Sequence, residues 1–150
     1  MMPPIHTKSE RAKTLLARIA FFFMSIIPAR WSDFFWYRSV SVIDGVIYLP
    51  VGDEYFWGKP DAFRLTPTYR HELIHIEQAK RKMFWQLRYV LSPAFRIDAE
   101  AEAYTRVQIA EGRLSIDNVV DIIATNYFPL WETRESIREA VWKYIIQEDL

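Results

Sequence analysis

Hydrophobic and polar positions repeat along this chain with two periods, and the switches between them mark its elements. Residues 1–10, with Pro3 and Pro4, read as a frayed polar tail, and His6 within it as a solvated side chain. Lys8, Arg11, Lys13 and Arg18 then precede an apolar run from Ile19 to Ile27, which predicts a helix over 10–28. The period shortens over 39–50. Val40, Val42 and Ile43 lead into Asp44-Gly45, and Val46, Ile47, Tyr48 and Leu49 follow, so a β-hairpin is expected, with Pro50 stopping its second strand. An open strand edge there could pair with an extended peptide; a small structural sheet is the plain alternative. Residues 51–65 read as a loop whose Tyr55, Phe56, Trp57 and Phe63 pack on or cover something.

Helical spacing returns at 66–83. Thr66 suits an N-cap, Pro67 the first helical position, and Lys80, Arg81 and Lys82 the C-terminal end of the dipole. Tyr69, Leu73, Ile76 and Met83 form the apolar row expected to face the core. Residues 84–91 continue or restart a helix that ends before Pro93. A helix over 95–111 is closed by Gly112 at C′, and a short one over 115–124 starts at Ser115, ahead of Ile116, Val119, Val120 and Ile123. Residues 125–132 turn the chain. Ser136 and Glu139 form a capping box for a last helix with the stripe Ile137, Ala140, Val141, Tyr144 and Ile145. The sum is an α+β, mostly helical fold with a small antiparallel hairpin or sheet. It is expected as a single domain over 1–150: an N-terminal helical extension (1–38), a core (39–111) and C-terminal helices (112–150).

Composition narrows the chemistry. At 150 residues with 51% apolar side chains, the chain can bury a core. Zero formal net charge argues against a nucleic-acid partner held by bulk charge. The absence of cysteine leaves histidine and carboxylate as metal ligands, and is compatible with a cytoplasmic location. The apolar run near the N-terminus is about half the ~20 residues a membrane span needs. It reads either as a buried helix or, with Trp31, Phe34, Phe35 and Trp36 as anchors, as a peripheral membrane contact through residues 14–36.

The chemistry concentrates in His71-Glu72-Leu73-Ile74-His75. On a helix, side chains four apart share a face, so His71 and His75 can hold one Zn²⁺ with Glu72 beside them as general base. The plain alternative is a core helix carrying two histidines. A catalytic zinc takes three protein ligands and water, so one ligand is missing. Glu100 and Glu102 compete for it. Helical geometry sets Glu100 among Ile97, Ala103, Tyr104, Val107 and Ala110, and Glu102 on a wet face with Asp98, Thr105 and Arg106. An inward carboxylate needs compensation; a metal would provide it, as would Arg96 four residues earlier. Ala99, Ala101 and Ala103 would let this helix approach a neighbour closely.

His71-Glu72-Leu73-Ile74-His75 followed by Glu100-Ala101-Glu102-Ala103-Tyr104 resembles the gluzincin metallopeptidases over roughly residues 39–107. In that family the third ligand is a glutamate in an E-x-x-(small)-Asp pattern, which Glu100 and Ala103 match. Tyr104 stands where the family has an aspartate that orients the first histidine, so another group must steady His71. The resemblance implies a small zincin-like domain of bacterial or phage type that hydrolyses peptide or protein substrates. His71, His75 and Glu100 would bind Zn²⁺, with Glu72 as general base. Tyr104, one turn beyond Glu100, is the candidate oxyanion stabiliser, with core packing as its alternative role. A non-catalytic zinc-binding or membrane-associated scaffold is the rival reading.

Overall fold

The computed structural model describes residues 2–8, 14–26, 40–50, 60–126 and 133–148. The fold is α+β: mostly helical, with one small three-stranded mixed sheet. The chain divides into two compact units, 1–72 and 73–150, with the boundary inside one continuous helix.

The first unit holds β1 (Ile5–Thr7), α1 (Leu15–Ile26), β2 (Ser41–Ile43), β3 (Val46–Leu49), α2 (Pro60–Phe63) and the start of α3 (Pro67–Arg81). The hairpin forms as expected. Asp44 and Gly45 both take positive φ, 53° and 74°, the left-handed pair that a tight hairpin turn requires. The N-terminal segment is not a frayed tail. Ile5, His6 and Thr7 pair in parallel with Ile47, Tyr48 and Leu49, and the Lys8 N–H donates to the Leu49 carbonyl at 2.9 Å. The physical reason lies in β3, which is buried along its whole length; a two-stranded hairpin would leave one of its edges without hydrogen bonds. With order β1-β3-β2, the second hairpin strand has no open edge. Ala17, Ala20 and Phe21 of α1 pack with Ile43, Val46 and Tyr48 of the sheet. No helix among the described residues is long and apolar enough to cross a membrane. Trp31, Phe34, Phe35, Trp36, Tyr55, Phe56 and Trp57 lie outside the described residues, as does most of the 125–132 turn.

α3 starts as its sequence dictates: the Tyr69 N–H donates to Thr66 Oγ1 at 3.2 Å, an N-cap bond, and Pro67 takes the first position. It stops at Arg81, so Met83 falls beyond it and is exposed rather than part of the apolar row.

In the second unit, α4 (Trp85–Leu91) and α5 (Pro93–Ala110) meet at Ser92, whose N–H closes α4 on the Arg88 carbonyl and whose hydroxyl caps α5. Gly112, at φ 64°, ends α5 as expected. α6 (Ile116–Asn126) is capped by Ser115, and with α7 (Arg134–Glu148) it packs Val119, Val120, Ile123, Ile137, Val141 and Tyr144 on Ile97 and Ala101 of α5. α7 begins earlier than the Ser136–Glu139 box implies. Thr133 is the cap, accepting from the Ser136 N–H at 3.2 Å, which makes Ser136 an interior first-turn residue. α5 is thus the centre of this unit, buried nearly all round. Its alanines do the expected work: Ala99 lies against Trp85 and Phe95, Ala103 against Ile74, and Ala101 against α6 and α7.

Candidate metal centre

His71 and His75 stand one turn apart on α3, and Glu100 faces them from α5. One ligand atom from each lies within 4.8 Å of the others, and all three side chains are buried. His75 Nε2 is 3.2 Å from Glu100 Oε1. For comparison, two ligand atoms of one tetrahedral zinc stand roughly 3.3–3.5 Å apart.

A side-chain relay fixes the state of His75. Gln78, fully buried, directs its Nε2 amide group to the Ala99 carbonyl (2.9 Å) and Glu102 Oε2 (3.0 Å), both acceptors only. Its Oε1 therefore faces His75 Nδ1 at 2.8 Å, so Nδ1 must carry the hydrogen. On a neutral ring Nε2 would then present its lone pair to the Glu100 carboxylate oxygen, and on a protonated ring it would donate to it. Two such atoms at 3.2 Å require a cation between them, a proton or a metal ion, and this donor set suits a metal. Replacing the relay should weaken metal binding. Gln78→Leu is expected to lower zinc affinity about 10–100-fold, read by competition against a chromophoric chelator. An unchanged affinity would show that the relay does not orient the ligand.

The underside of α4 closes the centre. Trp85 and Tyr89 stack on each other at 4.8 Å, their rings lie 5.4 and 5.9 Å from that of His75, and the Tyr89 hydroxyl donates to Glu100 Oε1. Arg96 is not the partner of Glu100. Its guanidinium donates instead to the Tyr89 and Val90 carbonyls at the end of α4, at 3.0 and 2.9 Å.

Glu102 is buried, not on a wet face. Besides Gln78, it accepts from Arg81 at 2.5 Å and lies 3.6 Å from Arg106. The helical wheel placed it outward because it assumed one buried face, whereas α5 is covered on several sides. The bond to Glu102 is the main reason the Arg81 guanidinium pKa rises above its ordinary value. Tyr104 packs, half-buried, against the α6–α7 core. Tyr89, which the sequence reading did not single out, places its hydroxyl on Glu100.

Glu72, between the histidines, is buried at 6% exposure, and within the same unit Lys8 is buried at 3%. Desolvation lowers the Lys8 ammonium from 10.5 to about 7, against the opposing pull of Glu72. Below about pH 7 the lysine is protonated folded and unfolded, and the desolvation cost is fully present. Between about 7 and 10.5 the unfolded chain keeps a proton the folded chain has released, so the Lys8 contribution to stability improves as pH rises. In urea unfolding, Lys8→Met is expected to flatten the gain in stability between about pH 7 and 9.5 relative to wild type; parallel profiles would refute this.

Compared with protein-family profiles, curated proteins and solved structures, the chain matches none. The candidate centre therefore rests on its own geometry.

Proposed function

We propose that this chain is a zinc-dependent peptidase of gluzincin type. The observation that carries the reading is the convergence of His71, His75 and Glu100 from two helices, with the Glu72 carboxylate set between the histidines in sequence. When bound, the metal supplies the Lewis acidity that polarises a carbonyl and lowers the pKa of water toward neutrality. His71, His75 and Glu100 hold it. Gln78 keeps His75 in the ligating tautomer, and Tyr89 restrains the Glu100 carboxylate. Glu72 takes the proton of the attacking water and passes it to the departing amine nitrogen of a peptide or protein substrate. Lys8 lies within electrostatic reach of Glu72.

The second reading is a non-catalytic metal-binding module. The burial of all three ligands favours it, since structural sites are closed while catalytic ones keep an open position. The burial of Glu72 favours the enzyme, because a purely structural ion has no use for a second desolvated carboxylate at that position. Metal analysis of untagged protein, paired with casein cleavage by wild type and Glu72→Gln, separates them. Zinc with Glu72-dependent cleavage supports the peptidase. Zinc without cleavage supports the module, and no zinc after reconstitution removes both.

A further inference from the structure

α4 presents two faces of different chemistry. Trp85 and Tyr89 form the inner arc against His75 and Glu100. On the opposite arc, spanning about 100° of the helix, lie Leu87, Val90 and Leu91. They are 58%, 66% and 70% exposed, and Met83 and Phe84 just before the helix are 78% and 68% exposed. Five large apolar side chains thus lie open within nine residues. Phe84 is also held at φ 57°, a left-handed conformation that a bulky residue rarely occupies without tertiary reason.

The charge around this face has one sign. From Gln78 to Ile97 the sequence carries Lys80, Arg81, Lys82, Arg88 and Arg96 and no acidic residue. Glu102 and Asp98 engage Arg81 and Lys82. Arg88 instead stacks over Phe95 at 4.3 Å, and Arg96 binds backbone carbonyls. Neither guanidinium meets a carboxylate among the described residues, and both flank the open apolar arc.

We infer that α4 is an interfacial helix that seats the chain on an anionic lipid surface. Leu87, Val90, Leu91, Met83 and Phe84 enter the boundary between headgroups and acyl chains, and Lys80, Arg88 and Arg96 lie among the headgroups. A second copy of this chain is the poorer occupant, because a two-fold contact through this face would bring the same guanidinium groups together. Seating α4 this way brings the metal centre to about one helix diameter, roughly 10 Å, from the lipid. The inference stands apart from the hydrolytic reading, since lipid attachment needs no bound metal.

The test is co-sedimentation of the full chain with phosphatidylcholine vesicles, with and without about 30% phosphatidylserine. Wild type is expected to bind the anionic vesicles, less so as salt rises, and Leu87→Ser/Leu91→Ser to weaken partitioning by more than about tenfold while helicity is retained. Because the chain has no cysteine, Leu87→Cys carries a single environment-sensitive fluorophore, whose emission is expected to shift to the blue on vesicle addition. Absence of binding, binding untouched by the double substitution, or a wild-type dimer dissolved by that substitution without vesicle binding would each overturn the inference.

Discussion

Glu72→Gln is expected to bind about one zinc per chain while its kcat/KM for casein falls by about 10²–10⁴-fold. The substitution keeps the shape of the side chain and removes its ability to take a proton. The three ligands lie elsewhere, on His71, His75 and Glu100, so metal content should not change. A second consequence follows from Lys8, which is almost fully buried and loses its carboxylate neighbour in the variant. Without that carboxylate the buried ammonium is disfavoured further, so below about pH 7, where wild type keeps the Lys8 charge, the variant should unfold at lower urea than wild type. Elemental analysis, steady-state cleavage and urea unfolding on the same preparation read all three effects. Undiminished cleavage by a zinc-loaded variant would remove Glu72 from the chemistry.

Metal should also be a large contributor to stability. An ion that binds the folded chain but not the unfolded one stabilises by about 4 kcal/mol at a thousandfold excess over its dissociation constant. For a chain of 150 residues, 1 kcal/mol moves the midpoint by about 2–4 °C, so zinc should raise Tm by about 8–16 °C over the chelator-treated protein. Glu100→Gln should abolish most of that increment, because the amide is a poor ligand for zinc. In chelator the gap should narrow. Glu100 is 1% exposed, and without a metal its carboxylate is compensated by a proton shared with His75 and by the Tyr89 hydroxyl, so the neutral amide should fall below wild type by less than it does in zinc. Calorimetry of both proteins in zinc and in chelator reads the difference. An equal zinc increment in the two would exclude Glu100 as a ligand.

Much of the centre is legible in the chain alone because it depends on short-range geometry. Thr66-Pro67 starts a helix wherever it can, and residues four apart on that helix share a face, so the pairing of His71 with His75 needs no tertiary information. Glu100 follows from the apolar residues around it on its own helix. Asp44-Gly45 and Gly112 mark a turn and a helix end through backbone preference. Gln78 was within reach too, since His71, His75 and Gln78 lie at i, i+4 and i+7 on one face.

Other features have no local cause. Tyr89 belongs to a separate short helix, and only the turn at Ser92 folds that helix over Glu100. The N-terminal strand exists because β3, distant in sequence, needs a hydrogen-bonding partner along its second edge. Glu102 is buried because α5 is enclosed on several sides, a condition that a periodicity built on one dry face does not represent. Sequence thus determined which helices carry the candidate metal ligands and Glu72, because these follow from backbone geometry within a few residues. Tertiary structure decided what surrounds them: the relay on His75, the hydroxyl on Glu100 and the lysine near Glu72. Those contacts depend on how separate elements pack to satisfy buried polar groups.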